Sequence, residues 1–429
     1  MSGAGGMDYE IPRKAHKDED RAFEHLNKMV RTPVPSSDEE QLKKREEEIM
    51  NVGKHLAENK SIDKLREMIG NCRPFLLQLG KAKAAKLMRN LVDLFLAIED
   101  TGANRSEWNK FKVDLCTDCI EWSKEQNRIF LRQALQARLV RLYNDIQLHQ
   151  DSLQLSQTLL KELKKVDDKE LIVEVQLEES KACYYLQNMT KARAALTSAR
   201  TTANSIYIPP QMQAALDMQS GILHAADERD FKTAFSYFYE AFEGYDSIDK
   251  RSLALLALKY MCLSKIMLDC ADDVTSILSG KLALKYTGSD LDAMKAIAAA
   301  ASKRSLADFN KAFGQYPTEL QCDPVVKTHF NTLSDNMLEK DLSRIIEPYS
   351  RVEIAHVAKT IGLDKSKVEK KLAQMILDKT CIGILDQGAG VLIVHDHQPK
   401  DATYESAVAS IRSLGLVVDA LEEKIKKLT

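Results

Sequence analysis

His395-Asp396-His397 is a place in this 429-residue chain where closely spaced side chains could hold a catalytic metal. Two imidazoles in a His-x-His run can bind zinc, and with a nearby carboxylate the metal can polarise a water for hydrolysis. Zinc hydrolases of this type continue with Pro directly after the second His and with a Ser-x-x-Asp further on. Here Gln398 follows, Pro399 comes one place late, and Ser406 is followed three residues later by Ala409. The ligand set is incomplete, and the run reads as a solvated strand end.

Cys116-Thr117-Asp118-Cys119 is the only close cysteine pair among eight cysteines. Structural zinc needs a second such pair or nearby histidines, and neither is present. The surrounding run Leu115–Trp122 reads as a helix with half-buried thiols, since free Cys behaves as a small hydrophobe. Gly388-Ala389-Gly390 superficially resembles a phosphate loop, but no helix N-terminus follows it, so these glycines serve a turn. No Walker loop, Gly-x-Ser-x-Gly elbow, His-Glu-x-x-His helix or dinucleotide fingerprint occurs. No catalytic residue, metal ligand or cofactor is therefore assigned, and the chain is not expected to be an enzyme.

The composition, with 29% charged and 44% hydrophobic residues, is that of an ordinary soluble protein. Sixty-one basic and 63 acidic residues give a net charge of −2, so no global field favours nucleic acid or an anionic membrane. No apolar run is long enough to span a bilayer. Met1–Glu10 lacks the basic and apolar regions of a signal peptide, which predicts an intracellular protein. Only 17 Gly and 10 Pro interrupt the chain, as suits a mostly α fold.

The elements follow that expectation. Residues 1–35 are polar and mixed in charge and are expected to be disordered. Ser37 with Glu40 forms a capping-box pattern opening the first helix. Residues 36–300 then read as successive amphipathic helices. Within them His149–Lys165, Met189–Ser205 and Asp230–Ser247 resemble one another, each with a small residue in its first turn: Ser152, Ala192 and Ala234. Their period of about 40 residues predicts a helix-turn-helix, TPR-like repeat whose pairs stack into a right-handed solenoid. An irregular helical bundle is the alternative. The aromatic stripe Phe235, Phe238, Tyr239 and Phe242 and the apolar run Leu253–Met267 predict packing between repeats.

From Ser350 the rhythm changes. Ile354, Val357, Ala358 and Ile361 mark one short helix. Asp364 can cap a second, with apolar face Val368, Leu372, Met375 and Ile376. Cys381–Leu385 and Val391–Val394 flank a Gly turn as a hairpin would. Residues 301–397 thus read as a helical stretch ending in a winged helix, a module that binds nucleic acid or protein. Between Ser350 and His397 seven basic residues stand against six acidic ones, and the wing tip carries no Lys or Arg. That falls short of a phosphate-binding footprint and disfavours nucleic acid. Beyond it, in residues 398–429, Ala407, Ile411, Leu414, Val418, Leu421, Ile425 and Leu428 alternate steps of four and three. This heptad seam predicts a bundle helix, packed with other chains or folded back on its own winged helix.

Several longer stretches point to one family. Ser198–Asn204, Ala215–Ile222, Tyr237–Ser247, Ser305–Phe309, Arg344–Pro348, Lys371–Lys379, Gly383–Gly388 and Val391–Ile393 resemble PCI-domain subunits, and among these the subunits of the proteasome lid. PCI domains also occur in the COP9 signalosome and translation initiation factor three, which remain alternatives. The resemblance covers residues 70–429, with 1–60 divergent. It implies a non-catalytic scaffold of the 26S proteasome regulatory particle. PCI winged helices there line up through the hairpin edge, and C-terminal helices gather into an assembly bundle. The implied partners are other PCI-type lid subunits, the proteasomal ATPase ring and the core-particle α-subunits. The residues expected to make protein contacts are the heptad seam and the strand edge Val391, Leu392, Ile393 and Val394.

Overall fold

The structure, a computed structural model, describes residues 39–59, 61–98, 105–321, 323–395 and 402–428. The segment 1–35, Ser37, Asp396 and His397 lie outside the described residues. The chain divides into two compact units, Met1–Met261 and Cys262–Thr429.

The first unit is helical throughout its described length. Five helices open it: α1 (Glu39–Glu58), α2 (Ile62–Asn71), α3 (Arg73–Gln78), α4 (Lys81–Leu96) and α5 (Arg105–Glu125). Then follow α6 (Ile129–Asp145), α7 (His149–Val166), α8 (Lys169–Tyr185), α9 (Met189–Ala203), α10 (Pro210–Leu223) and α11 (Phe231–Ser247). The next helix, α12 (Arg251–Met267), contains the division between the units.

A single backbone device sets the repeat. Asn127, Gln147, Asp167 and Gln187 all adopt positive φ, at positions twenty residues apart. Each ends one helix in the left-handed conformation. In three of the four turns the next N–H bonds back to the carbonyl five residues earlier: Arg128 to Ser123 at 2.9 Å, Leu148 to Tyr143 at 2.8 Å and Asn188 to Cys183 at 2.9 Å. The following helix starts at once. Asp168, Asn188 and Asp230 accept from the backbone N–H of Leu171, Lys191 and Thr233. Such short turns make consecutive helices antiparallel neighbours. The small residues Ser152, Ala192 and Ala234 are all fully buried, where they let paired helices approach closely.

The rhythm slips between Gln187 and Arg229, which are 42 apart. The α9–α10 connection runs as a longer segment to Pro209, and a π turn at His224–Glu228 widens the end of α10. Alternate helices form a row, with α4 against α6, α6 against α8 and α8 against α10. The aromatic stripe is only partly internal: Phe238 and Phe242 are buried, while Phe235 is half-buried and Tyr239 is exposed.

The second unit continues with α13 (Ala271–Leu278), α14 (Ser289–Ser302), α15 (Leu306–Gln315), α16 (Pro317–Gln321) and α17 (Pro324–Ile346). A small module follows: β1 (Arg351–Glu353), α18 (Ile354–Ile361), α19 (Lys365–Leu377), β2 (Gly383–Asp386) and β3 (Val391–Val394). The three strands form an antiparallel sheet in the order β1-β3-β2. Val352, Ile354, Val357, Val368, Leu372, Met375 and Leu392 share one core with Leu342 and Ile346 of α17. This is a winged helix seated on the end of a helical array. Asp364 does occupy the N-cap position of α19, but its side chain makes no cap hydrogen bond. The chain ends in α20 (Ala402–Leu428).

Candidate docking surfaces

No side chain described from 403 to 427 in α20 is buried. Ile411 is 70% exposed, Leu414 68%, Val418 54%, Leu421 53% and Ile425 61%. Ala407 is exposed too, whereas the side chain of Leu428 lies outside the described residues. Leu416 and Val417 widen the apolar face. Off the seam, Lys426 and Glu422 pair across one turn at 2.6 Å, the pattern of a helix whose polar side is solvated. Among the described residues the stripe is not buried against the winged helix. A contiguous apolar face of this kind is a surface that association can bury.

The sheet corrects one expectation. Val391–Val394 is not an edge, because β3 is the central strand and pairs with β1 on one side and β2 on the other. Val391 and Leu392 are buried against the helices, so they hold the module together and do not face a partner. Ile393 and Val394 retain partial exposure. The hairpin edge that remains open belongs to β2, where Ile384 is 58% exposed.

Of the residues that suggested chemistry, those described serve the fold. The backbone N–H of His395 donates to the Ile382 carbonyl at 2.8 Å, which extends the hairpin. Among the described residues no group of three or more His, Cys, Asp or Glu is arranged to hold a metal. Cys116 and Cys119 are fully buried, and burial pushes their thiols up to about 12 and about 11. The Gly388–Gly390 segment is a turn, with the Ala389 N–H donating to the Asp386 carboxylate at 3.0 Å and Gly390 at positive φ. On α19, Lys371 is paired with Glu339 at 2.7 Å and Lys365 with Glu369 at 3.7 Å. The lysine-rich face is thus partly neutralised, which further weakens a nucleic-acid reading.

One feature escaped sequence reasoning. The row α4, α6, α8 and α10 is threaded by charge. Arg138 on α6 donates to Asp93 on α4 at 2.9 Å and pairs with Glu174 on α8. Asn144 on α6 donates to the Glu178 carboxylate at 2.9 Å. Burial pushes the Glu178 carboxyl up, but Lys181 and Asn144 outweigh it and hold the group below its usual range. On α10, Asp217 pairs with Arg200 and accepts from Gln213 at 3.1 Å. Beside this row lies a cleft of about 780 Å³, walled by Asp93, Trp108, Lys112, Arg138, Arg141 and Asp145, with Lys250 from the α11–α12 turn. Its charges come from segments far apart in sequence, so no local spacing announces it.

A helical array ending in a winged helix with open hairpin and tail surfaces defines a class of assembly proteins. The family profile described as the PCI domain matches residues 313–396. The profile described as the 26S proteasome regulatory subunit RPN6 N-terminal domain matches residues 10–146, so the likeness reaches into the segment 1–60 set aside as divergent. A *Caenorhabditis elegans* protein named probable 26S proteasome regulatory subunit rpn-6.1 is 59% identical, over 100% of this chain and 96% of its own length. Probable 26S proteasome regulatory subunit rpn6 of *Schizosaccharomyces pombe* is 48% identical over 93% of this chain and 92% of its own. The 26S proteasome non-ATPase regulatory subunit 11 homolog of *Arabidopsis thaliana* is 46% identical over 92% of both chains. The chain belongs to the Rpn6 family of 26S proteasome regulatory subunits, the family of non-ATPase regulatory subunit 11.

Proposed function

We propose that this chain is a non-catalytic scaffold subunit of the lid of the 26S proteasome regulatory particle. In this role it stabilises the association of lid, base and core particle, and so supports ATP-dependent degradation of ubiquitinated proteins in cytoplasm and nucleus. The observation that carries the reading is the uncovered heptad seam of α20 in a chain of this family. The seam enters a bundle with C-terminal helices of other PCI-type lid subunits, and the open edge of β2 meets a neighbouring winged helix. The helical repeats of the first unit reach the ATPase ring and the core-particle α-subunits. No helix among the described residues is long and apolar enough to cross a membrane.

Replacing both Leu414 and Leu421 with Asp tests the seam. If a bundle buries them, each loss costs roughly 2–5 kcal/mol of association. The double variant should be missing from assembled proteasome on native gels. Full co-migration with the assembled particle would overturn the assignment.

A further inference from the structure

The cleft beside the charged row holds cations of two kinds. Lys112 and Arg138 are committed to the fold. Lys112 Nζ donates to the Leu96 and Ile98 carbonyls at 3.0 Å each and lies 5.1 Å over the Trp108 ring. Arg138 is taken up by Asp93 and Glu174. Arg141, Asp145 and Lys250 differ: all line the cleft, and none makes a direct hydrogen bond or ion pair through its side chain among the described residues. Arg141 and Asp145 stand one turn apart on the same face of α6. Both reach solvent, yet enough protein surrounds Asp145 that burial pushes its carboxyl up, against the pull of Arg141, Lys181 and Lys112 and with a push from Glu178. The indole N–H of Trp108, at the wall, also lacks an acceptor.

We propose that this cleft is a peptide-docking site, which takes a short acidic segment of a partner protein with a carboxylate between Arg141 and Lys250 and a backbone N–H donating to Asp145. The volume, about 780 Å³, falls within the range of ligand-binding clefts. Arg141 and Lys250 have no direct ion-pair partner, and although Arg141 also lies in the field of Asp145, Glu174 and Glu178, the two together favour an anion. Asp145 beside them argues against a compact polyanion, which it would repel, and for a ligand that carries a donor next to its negative charge. A peptide has that pattern at every acidic residue. Arg offers the carboxylate a two-pronged partner and Lys a point charge, so the pair can hold it without a fixed backbone pose. The site lies wholly in the first unit and does not depend on the assembly role of α20.

Fluorescence anisotropy with the full chain tests it, using labelled short peptides rich in Asp and Glu at about 50 mM salt, where exposed charges are weakly screened. Binding is expected, with a loss of about tenfold or more in Arg141→Gln and in Lys250→Gln, and near abolition in the double variant. Asp145→Asn should weaken the peptide less, because an amide oxygen still accepts. Lys367→Gln with Lys370→Gln, remote cations on α19, should bind as the parent does. Unchanged melting temperatures keep a folding defect from mimicking the result. The proposal is overturned if the peptides do not bind, if the α6 variants bind as the parent does, or if inorganic phosphate displaces the peptide at equal concentration.

Discussion

The turn residues bear the strain of the repeat. A side chain in the left-handed conformation costs roughly 1–2 kcal/mol, less for Asn and Asp, whose short polar groups can bond locally. Asn127 and Asp167 fit that exception, but Gln147 and Gln187 do not; both are exposed. Gln147→Gly should remove the strain and return part of the gain as unfolded-chain entropy, for a net stabilisation of about 0.5–1 kcal/mol. A raised denaturation midpoint checks this, and a lowered one would mean the glutamine makes contacts that offset its backbone. The buried thiols are a second residue-scale case. Burial pushes Cys116 and Cys262 from 9.0 up to about 12. Above pH 9.0 the unfolded thiols ionise while the folded ones stay protonated, so the unfolded state binds fewer protons and stability falls as pH rises. Each thiol contributes a slope of up to about 1.4 kcal/mol per pH unit in that window. In Cys116→Ala with Cys262→Ala, the drop in urea midpoint from about pH 8 to about pH 10 should be smaller than in the parent. An equal drop would remove the thiols as its cause.

At the scale of elements, close packing between α10 and α11 makes one glycine obligatory. A Cβ on Gly221 would stand 2.6 Å from the ring of Phe238, which is buried and has no room to yield. Gly221→Ala should therefore destabilise by about 1–3 kcal/mol, as overpacking does. Adding Phe238→Leu should recover part of that loss, a coupling that a double-mutant cycle reads directly. Strictly additive losses would show that the ring is not the obstacle. That glycine also shows what the sequence could and could not disclose. Helical spacing and buried small residues at 152, 192 and 234 were legible, because amphipathic faces and close approach leave marks in residue type. The twenty-residue turn rhythm was hidden, since its left-handed positions carry Asn, Gln, Asp and Arg where glycine would have signalled them. The winged helix was legible from two apolar stripes and a hairpin. β1 was not, being only three residues long, and without it β3 looks like an edge when it is the centre. The cleft was invisible for a related reason: Asp93, Arg141 and Lys250 meet only after the repeats stack.

For the whole molecule, the question is whether the tail serves the fold or the assembly. The seam of α20 is exposed along its described length, while Leu392 of β3 is buried in the core shared with α17, α18 and α19. The two kinds of leucine should therefore separate stability from association. Leu414→Asp with Leu421→Asp changes two exposed side chains, and surface changes of this kind alter stability by about 0.5 kcal/mol or less. The isolated variant should melt as the parent does, stay soluble, and still be lost from assembled particles. Leu392→Asp buries an unpaired carboxylate in the winged helix, a change that costs several kcal/mol. It should lower the melting temperature of the second unit and be lost from particles through misfolding. Thermal unfolding of the two purified variants, set beside their co-migration on native gels, distinguishes the cases. If the α20 variant melts well below the parent, the seam holds the chain's own fold, and its exposure here is not the state that meets the partner. If it melts with the parent and fails only in assembly, the seam of the final helix serves assembly and not the fold of the chain.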